Sequence, residues 1–186
     1  MIRTDRLVLR QWCEADREPF AALNADPRVM EFFPAPLNRA ASNSMADHCR
    51  SLIAKRGWGF WAVERKDTLE FIGFVGLHVP APELPCSPCI EIAWRLACRH
   101  WGKGFATEAA KASLRVGFDT LGLAEIVSFT VPQNLRSRAV MERIGMHDAH
   151  ETFEHPHVLN GHSLRLHCLY RLSKQRWQAH EQERDG

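Results

Sequence analysis

The sequence predicts an α/β (α+β) chain in which a mixed, mostly antiparallel, twisted sheet of about seven strands is flanked by four helices. A length of 186 residues suits a single domain, 1–186, that buries its own core. Alternating and helix-periodic segments follow one another in the order β-α-α-β-β-β-α-β-α-β-β. In the middle of this order a strand, a helix and a strand come in succession, which requires at least one parallel crossover.

The first half of the chain predicts a strand, two helices and a hairpin. RLVLRQW alternates as a strand does, and Asp16 can cap a helix over about 17–25. Asn38 can cap a second helix with apolar residues at helical spacing, and Gly57 stands where that helix should end. WGFWAVERK and LEFIGFVGLHV then predict two strands joined by the polar turn 66–68.

The second half begins with a loop of four prolines and the strand CIEIAWRL. After two glycines, a helix over about 105–120 is predicted, because apolar residues recur at every fourth position on one face. EIVSFTV is the next strand, and Asn134 can cap a helix across 135–144. Strands near 146–153 and 163–172 complete the order.

Charge and composition weigh against several functional classes. The formal net charge is +2 and no Lys/Arg run is interleaved with aromatics, so we expect no nucleic-acid partner. No apolar run approaches the roughly 20 residues that cross a bilayer, and the charged opening MIRTDRLVLRQW is unlike a signal peptide. Six cysteines without framework spacing suit a reducing compartment. We therefore expect a cytoplasmic chain that contacts no membrane.

No metal site is predicted, although two features invite one. Cys86 and Cys89 form a C-x-x-C pair in the proline-rich loop, but a zinc site needs two further ligands at comparable spacing. Six histidines lie between residues 147 and 167, yet their spacing gives little of the fixed geometry that metal ligands need. We interpret the cysteines as two unpaired thiols and the histidines as surface or substrate-side groups.

The stretch RHWGKGFATEAAKASL, residues 99–114, places two glycines one residue apart directly before a helix. A helix N-terminus has unsatisfied N–H groups and about half a positive charge, so it attracts anions. Glycine lets the backbone approach such an anion closely. The stretch is not a Walker A loop, and Thr107 stands where a dinucleotide fingerprint needs a third glycine. A purely structural turn is the alternative for a lone G-x-G.

The run RHWGKG resembles the R/Q-x-x-G-x-G/A motif of the GCN5-related N-acetyltransferase (GNAT) superfamily, and WGKGFATEA looks like its RimJ/RimL type, the ribosomal-protein N-terminal acetyltransferases. Many relatives carry an Arg just before the first glycine, where this chain has Trp101. TDRLVLRQW, FWAVERK, FIGFVGL, EIAWRL and PQNLRSRAVMERIGM resemble further segments of that branch in the same order. The resemblance implies the GNAT fold, in which the fourth and fifth predicted strands, EIAWRL and EIVSFTV, are parallel and splay apart around the cofactor.

Family members bind acetyl-coenzyme A (acetyl-CoA), and the resemblance implies which residues would do so here. The backbone amides that would hold the pyrophosphate are those of Gly102, Lys103, Gly104, Phe105 and Ala106. Trp94 and Leu96 would pair their backbone with the pantetheine arm, and an N–H near Leu96 would stabilise the thioester oxygen. Asn134 would contact the same arm, with a simple helix N-cap as its alternative role.

The implied reaction is attack of an amine on the acetyl thioester, so the amine must first lose a proton. Family members often place a carboxylate at the start of the strand before the loop, and Glu91 stands there. The resemblance therefore makes Glu91 the candidate general base, acting directly or through water. An exposed strand charge is its alternative role. Glu151, Glu154 and His155 are weaker rivals.

The departing thiolate needs a proton or a hydrogen bond. Many relatives use a Tyr on the helix after Asn134, but this chain has Met141 there, which cannot donate a proton. Ser137 matches a serine of the N-terminal acetyltransferase branch and is therefore the candidate donor, with a helix-surface hydroxyl as its alternative role. Glu108 is expected to support the helix start, where its charge is favourable, rather than to act as a catalyst.

Together these expectations describe an acetyl-CoA-dependent N-acyltransferase that acts on a primary amine by direct transfer in a ternary complex. The acceptor would be a protein N-terminal α-amine or a small-molecule amine, in a pocket that Phe32, Phe33, Trp58 and Trp61 help to shape. The family also implies self-association into a homodimer, which no sequence feature fixes. The alternative is a catalytically weak acyl-CoA-binding or regulatory module of the same fold.

Overall fold

A computed structural model describes the backbone of residues 1–185 and the side chains of residues 1–180. Within that range the chain forms eight strands and five α-helices. The strands are β1 (Ile2–Arg3), β2 (Leu7–Arg10), β3 (Phe60–Arg65), β4 (Phe71–His78), β5 (Glu91–Leu96), β6 (Glu125–Thr130), β7 (His147–Glu154) and β8 (Leu166–Ser173). The helices are α1 (Arg17–Ala25), α2 (Arg39–Arg56), α3 (Phe105–Arg115), α4 (Leu135–Arg143) and α5 (Lys174–Asp185). None of the helices within the described residues is long and apolar enough to cross a bilayer.

The predicted mixed α/β sheet is confirmed, with one strand and one helix more than expected. β1 is two residues long, which is too short to show any periodicity in the sequence. α5 has few apolar residues, and it is held by Trp177, whose ring stacks on Phe118 with centroids 5.7 Å apart. Among the α5 residues whose side chains are described, Trp177 is the one that is buried. A helix with one buried apolar residue has no apolar stripe by which a sequence pattern would reveal it.

The helix predicted over 17–25 is α1, but the prediction that Asp16 caps it is wrong: the Asp16 carboxylate accepts hydrogen bonds from the Cys13 amide at 2.9 Å and from Arg10 at 2.8 Å and makes no capping bond to α1. The signals at the ends of α2 act as expected. The Oδ1 of Asn38 accepts a hydrogen bond from the Ala41 amide at 2.9 Å at the start of α2, and Gly57 ends that helix in a left-handed conformation with φ 82°. The helix predicted over 105–120 is α3, continued by the π-helical turn Val116–Thr120.

By its internal packing the chain divides into two compact units. The first unit contains residues 1–78 and 93–113, and the second contains residues 79–92 and the chain from Leu114 onward. β5 therefore begins in the second unit and continues in the first. The assignment of 1–186 to one domain stays a prediction.

In the first unit the strand order is β1-β2-β3-β4-β5, with antiparallel pairs from β1 to β4. One core cluster of buried apolar side chains joins α1 and α2 to these strands: Trp12, Phe20, Leu23, Val29, Met30, Ala46, Cys49, Ala62, Phe71, Phe74 and Ala97. β4 and β5 approach closely at Gly73, whose φ is 140° and where a Cβ would stand 2.1 Å from the carbonyl oxygen of Arg95. No residue with a side chain fits there, so Gly73 sets how closely β5 packs.

In the second unit the strand order is β5-β6-β8-β7, with only the first two residues of β5 belonging to this unit. β5 and β6 are parallel, with Glu91 opposite Val127 and the Val127 amide donating to the Ile90 carbonyl at 2.9 Å. The other two pairs are antiparallel. The predicted parallel pairing of β5 with β6 is confirmed. The two strands share a single register pair, as expected of parallel strands that splay apart.

Candidate functional site

The glycine loop lies in the first unit, between β5 and α3. A 3₁₀ turn over Cys98–His100 follows β5, and the chain then passes through Gly102 and Gly104 with φ values of 71° and 80°. Both glycines are exposed, and a Cβ on Gly102 would meet no atom within 4 Å. The left-handed backbone, rather than crowding within the chain, is therefore the reason for glycine at position 102. The space beside it is open to a ligand.

The first turn of α3 presents amides that the helix itself does not use. The first intrahelical bond runs from the Glu108 amide to the Gly104 carbonyl at 3.0 Å. The amides of the residues just before Glu108 therefore have no acceptor within the helix. Together with the positive end of the helix dipole, they form a surface that attracts an anion.

Glu108 ties the start of α3 to the N-terminal turn between β1 and β2. Its carboxylate accepts hydrogen bonds from the Thr4 hydroxyl at 2.6 Å, the Arg6 amide at 2.8 Å and the Arg6 Nε at 2.6 Å. The Arg6 Nη1 also donates to the carbonyl oxygen of Lys103 at 2.9 Å. One cluster thus fixes both the glycine loop and the first turn of the helix. The expectation that Glu108 supports the helix start agrees with this arrangement.

The Glu108 carboxylate is ionised at neutral pH. Partial burial by itself would raise the pKa of Glu108, but the hydrogen bonds from Thr4 and from the amide and guanidinium of Arg6 outweigh it and lower the pKa below its ordinary value of 4.5. The carboxylate side chain is 17 % exposed, so these bonds are poorly screened by water.

Cationic side chains surround the loop. Lys103 bends back so that its Nζ donates to the Arg99 carbonyl at 2.8 Å, and Arg99 pairs with Glu70 at 2.6 Å. The Nη2 of Arg6 lies 3.3 Å from the place where a Cβ on Gly104 would stand. Glu108 and Glu70 neutralise Arg6 and Arg99, so the positive charge that adds to the attraction of the helix terminus for an anion is that of Lys103.

The strand before the loop carries Trp94 and Leu96. Trp94 is half-buried and Leu96 is buried. The Leu96 carbonyl accepts a hydrogen bond from the indole Nε1 of Trp101 at 2.8 Å. Trp101, which stands where many relatives have an Arg, therefore fastens the loop to the end of β5 through its ring.

Asn134 and Ser137 lie together in the second unit, at the start of α4. The Asn134 Oδ1 accepts from the Ser137 amide at 3.2 Å, so the N-cap role exists in the structure. The Asn134 Nδ2 donates to the Thr130 hydroxyl at 3.0 Å, which fixes the amide plane. Ser137 is half-exposed, and Met141, one turn further along α4, is 1 % exposed and belongs to the core.

Glu91, also in the second unit, is only 7 % exposed. Its alternative role as an exposed strand charge is therefore wrong. Two residues before it, burial raises the pKa of the Cys89 thiol to about 12, with smaller contributions from Cys86, whose Sγ is 3.7 Å away, and from Glu91. Both the thiol and the carboxylate thus lie in a poorly solvated part of the chain.

Two of the six histidines between residues 147 and 167, His155 and His167, are half-buried in a ring cluster with two phenylalanines. Three of the others are exposed, as expected of surface groups: His147, His150 and His157. His155 and His167 have ring centroids 5.0 Å apart, and Phe129 and Phe153 pack against them. Burial, with a smaller contribution from the neighbouring His167, lowers the pKa of His155 to about 4. Within the described residues, no group of three or more His, Cys, Asp or Glu side chains is placed to hold a metal ion.

The predicted site residues fall into two groups, one in each unit. The first unit brings together Trp94, Leu96 and the loop from Gly102 to Ala106, and the second brings together Asn134 and Ser137 and also contains Glu91. Sequence reasoning missed Thr4 and Arg6, the partners of Glu108. They are about a hundred residues away in the sequence, so no local pattern connects them with the helix they hold.

A family model described as an acetyltransferase (GNAT) domain matches residues 6–147, a range that contains every predicted site residue. The chain is also similar to the FsC-acetyl coenzyme A-N(2)-transacetylase of Aspergillus fumigatus. The two are 32 % identical over 154 residues, which cover 78 % of this chain and 64 % of the relative.

Solved structures show the same fold. The acetyltransferase (GNAT family) from Bacillus anthracis aligns with a TM-score of 0.78 and 23 % identity, covering 94 % of this chain and 98 % of that one. Mycobacterium smegmatis RimJ in complex with CoA-disulfide aligns with a TM-score of 0.69 and 20 % identity, covering 94 % and 89 %. At these identities the likeness concerns the fold.

Replacing Glu108 by glutamine should lower the free energy of unfolding at neutral pH by about 1.5–3 kcal/mol, because a charged acceptor of hydrogen bonds is lost. The folded pKa of Glu108 is lowered, so its contribution is fully present above 4.5 and disappears as the pH falls through the folded pKa. Urea unfolding across pH should therefore show wild type and variant converging below pH 4.5. The exposed carboxylate of Glu83 provides the control variant, Glu83→Gln. A difference as large in acid as at neutral pH would contradict the account.

Proposed function

This chain belongs to the acetyltransferase (GNAT) family, and we propose that it transfers an acetyl group from acetyl-CoA to a primary amine. The observation that carries the proposal is the glycine loop, where two exposed left-handed glycines stand directly before the unpaired first amides of α3. The transfer is direct, in a ternary complex of enzyme, acetyl-CoA and amine. Residues 1–186 act as one catalytic domain, since the family match spans both compact units.

The diphosphate of coenzyme A fits the glycine loop. It would be held by the amides from Gly102 to Ala106, because these donors are unused within α3 and the space beside Gly102 is open. The ammonium of Lys103 supplements this attraction. When bound, acetyl-CoA supplies the acetyl group as an activated thioester. The similarity to a RimJ structure that holds CoA-disulfide supports this assignment.

The pantetheine arm would follow the backbone of β5 at Trp94 and Leu96. An N–H near Leu96 would then donate to the thioester oxygen as negative charge develops on it, as an oxyanion hole does. Asn134 would contact the same arm. Because its Nδ2 and Oδ1 already bond to Thr130 and to the Ser137 amide, it would do so through its second amide hydrogen or its remaining lone pair.

Glu91 and Ser137 would carry the proton transfers. An amine is protonated at neutral pH, so a base must take its proton before nitrogen can attack. The carboxylate of Glu91 would do this directly or through water, and its burial supports the role because it sets Glu91 apart from the exposed charges of the surface. The hydroxyl of Ser137 would donate to the departing thiolate, since Met141 has no proton to give.

The acceptor belongs to one of two classes, a protein N-terminal α-amine or a small-molecule amine. The RimJ/RimL branch contains enzymes for protein N-termini, and the structural similarity to RimJ supports it. The name of the Aspergillus relative, an N(2)-transacetylase, supports transfer to nitrogen. We propose that the enzyme works in the cytoplasm, as a homodimer in the manner of its family, and uses no metal.

A second candidate function is a catalytically weak module that binds acyl-CoA and reports on it. The observation that favours it is the burial of Met141 at the position where many relatives carry the proton donor. A protein with this function would still bind coenzyme A but would not acetylate amines at a measurable rate.

An acceptor screen tests the proposed function. The full chain is incubated with acetyl-CoA and either peptides that begin with Ser, Ala or Met or a panel of small amines, and release of the coenzyme A thiol is followed. We expect multiple turnovers with at least one amine and an acetylated nitrogen in the product. Binding of coenzyme A without turnover on any amine would favour the acyl-CoA module instead.

Glu91→Gln should lower kcat/KM by about 10²–10⁴-fold, because the proton-accepting carboxylate is removed. The rate should recover in part at high pH, where more of the amine is already deprotonated. Ser137→Ala should lower kcat with little effect on the KM for acetyl-CoA. Glu125→Gln serves as the matched control, since Glu125 is the first residue of β6 as Glu91 is of β5 but is exposed. A pH profile unchanged in either site variant would remove that residue from the mechanism.

A further inference from the structure

Arg95, in the first unit, has no role in the proposed reaction, yet its guanidinium is held by several specific contacts. Arg95 stands between Trp94 and Leu96 on β5, so its side chain points to the opposite face of the strand from theirs. Its Nη1 donates to the Asn24 Oδ1 at 2.7 Å, and the guanidinium carbon lies 4.2 Å from the Phe33 ring centroid and 5.5 Å from that of Phe74. The cation is thus held among aromatic rings.

No carboxylate balances this charge among the described residues. Arg10, also largely covered, differs in this respect, because Asp16 at 2.7 Å and Glu64 at 2.8 Å neutralise it. Desolvation lowers the pKa of Arg95 to about 10, with Cys49 opposing it weakly. Burying an unpaired charge is costly, and an apolar side chain would fill the same aromatic surroundings at lower cost.

One edge of the Arg95 guanidinium has no hydrogen-bond acceptor among the described residues. Nε is buried without a hydrogen-bond partner, and Nη2 donates to no described residue. Nε and Nη2 carry the two parallel N–H groups that hold a carboxylate in a bidentate fashion. In this chain the same edge of Arg28 binds Asp26, and that of Arg99 binds Glu70.

Buried polar side chains hold Arg95 in this orientation. Asn24 and Ser42 are both fully buried, and the Asn24 Nδ2 donates to the Ser42 hydroxyl at 2.9 Å, which leaves Oδ1 facing Arg95. The Leu37 amide donates to the Asn24 carbonyl at 3.0 Å and fixes the backbone as well. Phe33, which covers the guanidinium, is 39 % exposed, so solvent lies just beyond its ring.

We propose that the Nε/Nη2 edge of Arg95 binds a carboxylate of the acceptor, so that the amine which this protein acetylates is an amino acid or a similar molecule with its own carboxylate. This inference rests on the proposed function for the identity of the reaction. A carboxylate suits the site better than a phosphate, because its single charge neutralises one guanidinium and a phosphate dianion would leave a buried negative charge. If Arg95 only stacks on Phe33 and Phe74, no anion will depend on it.

The test compares each common L-amino acid with its α-amide by calorimetric titration at neutral pH, with and without coenzyme A, and includes inorganic phosphate. We expect the wild type to bind at least one amino acid about tenfold or more tightly than its amide. Arg95→Met should abolish that preference. Asn24→Asp, which places a carboxylate beside the guanidinium, should also abolish it while the melting temperature is kept. Arg50→Met on the exposed face of α2 is the matched control and should bind as the wild type does.

The inference is wrong if no amino acid is preferred over its amide, if phosphate binds more tightly than every carboxylate, or if Arg95→Met and Asn24→Asp keep the preference. If Arg95→Met fails to fold, Asn24→Asp still tests the role of Arg95. Coenzyme A titrated into the same preparations separates the two claims. Normal coenzyme A binding with no carboxylate preference refutes the role of Arg95 alone, whereas absent coenzyme A binding refutes the proposed function.

Discussion

The attachment of Glu108 to the N-terminal turn is the interaction on which the donor side of the site depends. A helix start with open amides and adjacent left-handed glycines tends to fray, because it gives up the bonds that would stiffen it. Here Thr4 and Arg6 hold the carboxylate of Glu108, and Arg6 also holds the carbonyl of Lys103. The loop is thereby fixed by residues outside it. The cluster leaves the first amides of α3 without an acceptor in the helix, and our proposal assigns these amides to the diphosphate.

β5 shows how one strand can serve both substrates of a transfer reaction. Side chains alternate along a strand, so Arg95 lies on the opposite face from Trp94 and Leu96. In our proposals the backbone of Trp94 and Leu96 belongs to the acetyl donor and the side chain of Arg95 to the acceptor. Gly73 allows β4 to pack against this strand without a side chain between them.

Local signals in the sequence were sufficient for most of the fold. The Asn38 cap and the Gly57 end of α2 depend on neighbours in the chain, and the glycine loop depends on its own backbone, so each could be predicted. The partners of Glu108, the burial of Glu91 and the surroundings of Arg95 could not. Each of these is set by residues distant in the sequence. A single charged residue in a predicted strand does not indicate whether its side chain will be solvated, ion-paired or buried without a counter-ion.

Titration of coenzyme A into nitrogen-15-labelled protein, followed by the backbone amide resonances, would show whether the glycine loop holds the diphosphate. We expect the largest shifts at Gly102, Lys103, Gly104 and the first residues of α3. Gly122, another left-handed glycine in an open loop, should stay unchanged. If coenzyme A binds and shifts other amides while those from Gly102 to Ala106 do not move, the diphosphate is held elsewhere and the account is contradicted.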